Sequence, residues 1–171
     1  MKKILFLITL LSPAVFSQTL EHGQRFDDWT VRCINLQTEK RETQNSEKQQ
    51  CFIEQNLVYG KGDKKRRLLG VQIGYYQQRK IANLTLPLGM LLKHGVSLGI
   101  DNFKFSKKVA YTYCDLDGCS ASFELDSNTV DLLKKANTLK VKAVDLSGKN
   151  RQVGVSLKGF TPAFEALILS N

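Results

Sequence analysis

Cys33, Cys51, Cys114 and Cys119 are the most chemically versatile side chains in this 171-residue chain, and His22 and His94 are its two imidazoles. In "TYCDLDGCSASF", residues 112–123, four residues separate Cys114 from Cys119. A metal clip, a thiol redox switch and a structural disulfide compete for such a spacing. Zinc wants closely spaced Cys pairs or His at ligand spacing, and both histidines lie far along the chain from either pair. A redox motif usually takes the form C-x-x-C beside a helix start. Here the intervening "DLDG" has turn composition, and the flanking "VAYTYC" and "CSASFEL" read as strands. A structural staple is the favoured reading.

The compartment bears on that choice. "MKKILFLITLLSPAVFSQ" opens with Lys2 and Lys3, continues in an apolar run from Ile4 to Leu11, and places small Val15 and Ser17 where signal peptidase reads them. This is the pattern of a secretory signal cut after Ser17. The run is too short to span a bilayer, no cysteine stands at the cut, and no later stretch reaches the length of a membrane span. The expected organisation is a signal peptide, residues 1–17, and a single domain, residues 18–171, large enough for a real core. The expected location is the periplasm, with surface exposure or secretion as variants. Four cysteines in an exported chain read as disulfides and allow three connectivities. Cys33–Cys51 and Cys114–Cys119 are favoured, because each pair brackets a polar loop between strand-like runs. In the chain-entropy model these closures give roughly 3 and about 2 kcal/mol.

Loss of Lys2 and Lys3 with the signal lowers the formal charge from +9 to +7. Export argues against nucleic acid as the partner of a basic protein. Anionic lipid, lipopolysaccharide, glycan or an acidic protein fit better, and plain solubility fits equally well. The densest charge lies in "YGKGDKKRRLL", residues 59–69, where Gly60, Gly62 and Asp63 mark a turn. Lys61, Lys64, Lys65, Arg66 and Arg67 are therefore expected at a hairpin tip, either as an aggregation-blocking edge or as a contact for an anionic surface. The partner is expected to be an unidentified protein or an anionic envelope or host surface, and the chain a monomer or weak oligomer.

Catalytic patterns are sparse. There is no G-x-S-x-G elbow, and "GKGDKKRR" lacks the order of a phosphate-binding loop. His22 lies close to the predicted cut and His94 in the turn "LKHGV". Asp27-Asp28 and Asp115/Asp117 are neighbours of the kind that cap backbone amides in turns. No enzymatic activity, cofactor or metal is expected.

The elements that must position these residues are mostly strands. "FDDWTVRC" places Trp29, Val31 and Cys33 on one face, which gives Trp29 a core role beside a disulfide. "RLLGVQIGYY" places Leu69, Val71, Ile73 and Tyr75 on one face and Gly70 and Gly74 on the other, where close packing against a helix or second sheet is expected. "CFIEQNLVY", "KIANLTL", "VSLGID", "TLKVKAVD" and "RQVGVSL" continue the period of two, and "LSGKN" joins the last two as a hairpin. Two short helices interrupt the pattern. "SNTVDLLKKA" has Ser127 as candidate N-cap, and "TPAFEALIL" has Thr161 as N-cap with Pro162 at N1 and Phe164, Leu167 and Ile168 on its docking face. The fold class is all-β: an antiparallel β-sandwich of roughly 8–10 strands with two short helices, stapled by two disulfides.

"FDDWTVRC", "CFIEQ", "LLGVQIGY", "LTLPLGMLLKHGVSLGID", "YTYCDLDGCSASFEL" and "VSLKGFTPAFEAL" occur in this order. As an ordered set they resemble the invasion-associated locus B family, a group of exported bacterial proteins, from about Gly23 to Leu167. The resemblance implies a periplasmic or surface-exposed β-sandwich linked to host-cell invasion, without an established catalytic activity. It also supports the cysteine pairing above. The polar loop after Cys33 and the basic run 64–67 lie outside it.

Two functions follow as expectations. One is a non-enzymatic envelope or surface interaction protein. The other is a periplasmic hydrolase, or an inhibitor of one. A cleft lined by facing carboxylates or a Ser–His pair would favour the second, and a basic or aromatic face the first. Intact-mass analysis of protein recovered from the periplasm should find an amino terminus at Gln18; a mass that retains Met1 would contradict the signal reading.

Overall fold

The computed structural model of the chain describes residues 20–36, 48–101 and 105–170. The predicted signal, residues 1–17, and most of the polar loop between Cys33 and Cys51 lie outside the described residues.

Alternating apolar residues build two antiparallel sheets. The larger contains β1 (Arg25–Phe26), β2 (Trp29–Leu36), β3 (Lys48–Tyr59), β4 (Arg66–Tyr76), β5 (Arg79–Leu86), β8 (Tyr113–Asp115) and β9 (Gly118–Glu124), in the order β1-β2-β3-β4-β5-β9-β8. The smaller contains β6 (Val96–Ile100), β7 (Ser106–Val109), β10 (Thr138–Val144) and β11 (Asn150–Ser156), in the order β11-β10-β6-β7. Val31, Ile53, Leu69, Val71, Leu84 and Ala121 from the first sheet, and Val96, Leu98, Val141 and Val155 from the second, are almost wholly buried in one cluster. Removing such surface from water is what holds two sheets face to face.

The run "VAYTYC" is two strands. Val109 ends β7 in the small sheet, and the Thr112 amide already donates to the Ser120 carbonyl in the large one. Periodicity shows that a residue faces inward, but not which sheet its strand joins. This division brings the count among the described residues to eleven strands.

Both helix starts differ from expectation. Helix α1 (Ser127–Lys135) is capped by Asp126, whose Oδ1 accepts the Thr129 amide at 2.7 Å. A carboxylate at this position complements the helix dipole, and the hydrogen bonds from Thr129, the amide's first, draw its pKa down. Helix α2 (Phe160–Leu169) begins after Gly159, not at Thr161. Gly159 has φ +81°, and a Cβ there would collide with the Phe26 carbonyl. Only glycine fits that junction, and it delivers Phe160 into the core with its ring 5.4 Å from that of Trp29. Phe160, Ala163, Phe164 and Leu167 form the buried face, whereas Ile168 is exposed. Pro162 then falls at N3, still among the first-turn amides that need no helical partner.

Trp29 is buried in the core. Its Nε1 donates to the Ser156 carbonyl at 3.1 Å. Gln55, an inward-facing residue of β3, donates from Nε2 to the same carbonyl at 3.0 Å and accepts the Ser156 amide at Oε1 at 3.1 Å. Ser156 ends β11, an edge strand of the small sheet. Unpaired main-chain groups at a buried edge are costly, and side chains of the opposite sheet supply their partners here. Gly70 and Gly74 instead face away from this core, and a Cβ at Gly74 would press on Phe52 of the neighbouring strand. The glycines accommodate side chains of their own sheet, not a helix or second sheet.

Replacing Gln55 with Met keeps the bulk and removes both bonds. The Ser156 amide is then orphaned, and stability should fall by roughly 2 kcal/mol, or about 4–8 °C in melting temperature for a domain of this size. Thermal denaturation measures this, and an unchanged melting temperature would mean that packing alone holds β11.

Candidate functional site

Strand registers gather four connections at one end of the molecule. Tyr59 pairs with Arg66 beside the β3–β4 tip, Gly70 with Thr85, Leu86 with Cys119, and Asp115 with Gly118. In the small sheet Val144 pairs with Asn150 beside the β10–β11 turn. The sheets are tied together here through the β5–β6 loop: the Leu91 amide donates to the Val144 carbonyl at 2.8 Å and the Leu146 amide to the Gly89 carbonyl at 2.9 Å.

The basic run lies at this end. Gly62–Lys64 form one 3-10 turn at the hairpin tip, flanked by Lys61 and Lys65. Arg66 and Arg67 already belong to β4. Arg67 Nη2 donates to the Asp117 carbonyl at 2.6 Å, so the basic tip touches the turn between Cys114 and Cys119. Cys33 is bonded to Cys51 and Cys114 to Cys119, each pair directly opposed across neighbouring antiparallel strands.

Large apolar side chains also gather at this end. Of the twelve that are exposed among the described residues, eight lie here, with Leu116 (99%), Tyr59 (73%) and Leu146 (71%) foremost. The four connections and the strand ends they join carry eight basic side chains against four acidic ones.

Between the sheets, at this same end, lies a cavity of about 440 Å³. Leu68, Leu69 and Leu86 wall it on one side, Val141, Ala143 and Val153 on the other, and Pro87, Leu88, Gly89 and Met90 close it laterally. Its shape depends on a β-bulge. Leu57 pairs with Leu69 and Val58 with Arg67, so Leu68 is an extra residue in β4. A bulge turns two successive side chains to the same side, and Leu68 joins Leu69 in lining the cavity while Arg67 packs beside Gly70 and Thr85 on the outer face.

The cavity's charged groups are Asp145 and Arg151. Asp145 Oδ1 accepts from the Ser147 amide at 2.9 Å, the Ser147 hydroxyl at 2.6 Å and the Lys149 amide at 3.0 Å. Oδ2 accepts Arg151 Nε at 2.7 Å. The Ser147 bonds first, then Arg151 and the Lys149 amide, hold this carboxyl far below the usual carboxylate range. Its lone pairs brace the β10–β11 turn and leave it poorly placed to act as a base.

The other singled-out residues lie elsewhere. His22 contacts the main chain of Cys33 through Nδ1 and lies 3.4 Å from Arg32 through Nε2, and His94 is exposed in the Leu92–His94 turn. Asp27 pairs with Lys158 at 3.1 Å and raises its pKa, and Asp115 caps the Asp117 amide. Among the described residues no three His, Cys, Asp or Glu side chains are grouped to hold a metal ion, and no helix is long and apolar enough to cross a membrane. Sequence reasoning missed the cavity residues Leu68, Leu88, Met90, Asp145 and Arg151. Leu116 in "DLDG" and Leu146 in "DLSGKN", apolar residues within otherwise polar turns, signalled the exposed apolar end but not the cavity, whose lining includes neither.

A family model described as invasion associated locus B (IalB) protein matches residues 29–168. The fold is similar to the crystal structure of invasion associated protein B from Bartonella henselae, with a TM-score of 0.66 and 23% identity over 85% of this chain and 93% of that one. No curated protein matches the chain.

A folded-state pKa lowered below the unfolded value contributes stability that is full above the unfolded pKa and is lost as pH falls through the folded one. The β10–β11 turn should therefore stay braced through the ordinary aspartate range near pH ~4, and open only in stronger acid. Amide NMR shifts of Ser147 and Lys149 followed from pH 7 downward should titrate well below that value; a midpoint within the ordinary range would show that the bonds to Asp145 are not held in solution.

Proposed function

The chain belongs to the invasion associated locus B family, and from that premise we propose that it is an exported bacterial envelope protein that acts by contact, not catalysis, and docks on an anionic lipid surface. The observation that carries this reading is the concentration of exposed leucines, tyrosines and basic side chains on four adjoining connections. Leu88, Leu116 and Leu146 are suited to enter the headgroup region, where burial stabilises by on the order of 2 kcal/mol each. Basic residues gain about 1 kcal/mol each near an anionic surface, and salt screens that gain over about a Debye length. Secretion through residues 1–17 would bring a single domain, residues 18–171, to such a surface. A part in host-cell invasion rests on the name of the family and on that of the similar Bartonella henselae protein.

The competing reading, a periplasmic hydrolase or an inhibitor of one, calls for a cleft of facing carboxylates or a Ser–His pair. Among the described residues, the apolar cavity has a single carboxylate, already bonded to its own turn. The contact reading therefore takes precedence.

Binding to phosphatidylglycerol vesicles is the test. Replacing Lys64, Lys65, Arg66 and Arg67 together with Gln should weaken binding by roughly tenfold or more at low salt and flatten its salt dependence. Leu116→Asp should weaken binding while the contribution of the basic tip to the salt slope remains. The melting temperature should barely move for Leu116→Asp, whose side chain is exposed, and fall only slightly for the four-Gln variant, which also loses the Arg67 bond to the Asp117 carbonyl. Equal binding by wild type and the four-Gln variant at low salt would reduce the basic tip to a solubility feature.

A further inference from the structure

We propose that the cavity between β4–β5 and β10–β11 binds one alkyl chain bearing an anionic head, a free fatty acid, with the chain among the leucines and the carboxylate on Arg151. This rests on the docking reading, since the end that meets a lipid surface is the end where the cavity lies.

The walls set the chemistry of the tail. At about 440 Å³ the cavity lies toward the lower part of the range of roughly 300–1,000 Å³ usual for small-ligand sites, which suits a single short chain. Leu68, Leu86, Leu88, Met90, Val141 and Val153 offer such a chain hydrocarbon contact. An alkyl chain seated among them would gain dispersion contacts with both walls. The β-bulge is part of the site, because it turns Leu68 inward beside Leu69. Met90 adds a flexible side chain that can follow the shape of the tail.

The charged lining sets the chemistry of the head. Arg151 gives Nε to Asp145, yet among the described residues nothing accepts from its two Nη groups, and its side chain is 60% exposed. A guanidinium edge with two free donors matches a carboxylate. Asp145, committed to four donors, fixes the Arg151 side chain instead of competing for the ligand. By strand alternation Arg66 projects on the same face as Leu68, and so adds positive charge at this end. A neutral amphiphile would fill the same cavity without using this charge.

The experiment titrates decanoate, below its micellar concentration and without vesicles, into the full mature protein carrying ¹³C-methyl methionine. The Met90 methyl resonance should shift saturably with one site. Val153→Trp, which fills the cavity, should abolish that shift. Arg151→Gln should weaken decanoate by roughly tenfold and leave decanol binding unchanged. A Met90 signal that does not respond in the wild type, or a Val153→Trp variant that binds as the wild type does, would overturn the proposal. So would a response to phosphatidylglycerol vesicles alone, since the chain would then belong to a bilayer lipid. Decanoate binding by a wild type that ignores vesicles would overturn the docking reading and keep the cavity's affinity for the tail and head.

Discussion

Three hydrogen bonds converge on the main chain of Ser156, and the relation between the two sheets depends on them. Trp29 and Gln55 both donate to its carbonyl, and Gln55 accepts its amide. A sandwich with an edge strand facing its own interior must satisfy that edge or open to water. Here the satisfaction comes from two side chains of the large sheet. It fixes where the end of β11 sits and, through the adjoining turn, where α2 enters. Phe160 then packs at a tilt against Trp29, so a polar clasp and a buried aromatic contact support the same corner.

The clasp also explains why the other end differs. β11 is tied at Ser156, but its first residues, Arg151 to Val153, face the bulged start of β4 without an equivalent bond. Two twisted sheets clasped at one corner diverge with distance from it, and at the far end the β5–β6 loop ties them again. The space left is closed by the loop from Pro87 to Met90 and lined by leucines. Ordering at one end and divergence at the other are consequences of one geometry.

Much of the architecture was legible in the chain. Alternation located most strands, and "LSGKN" marked a hairpin. The turn at Gly60–Asp63 marked the hairpin because glycine and aspartate specify turns locally, with Lys61, Lys64 and Lys65 on the tip and Arg66 and Arg67 in β4. What failed was mostly non-local. Thr161 and Ser127 are good caps by type, but Gly159 was required by the Phe26 carbonyl, and Asp126 offered a charged acceptor one residue earlier. "VAYTYC" kept its alternation while crossing from one sheet to the other. The cavity was invisible for the same reason: Leu68 reads as an ordinary strand residue, and only its register against Val58 and Leu57 reveals the bulge that re-aims it.

Leu116 and Leu146, the two most exposed leucines of this end, share a mechanical feature that bears on how it could work. Leu116 projects from a two-residue turn closed by the Cys114–Cys119 bond. Leu146 projects from a turn that Asp145 braces through Ser147, Lys149 and Arg151. An apolar side chain on a loose loop can fold back and hide from water, and must be extended again on binding at an entropic cost. On a cross-braced turn that option is restricted, so the exposure is already present before contact and less ordering remains to be done. Covalent bracing serves one turn and a fully bonded carboxylate the other. Between them the β5–β6 loop is tied to β10 by two main-chain bonds, which keeps Leu88 beside the cavity mouth. The exposed leucines are thus set on braced supports, and Arg67 joins the basic tip to the Cys114–Cys119 turn beside them.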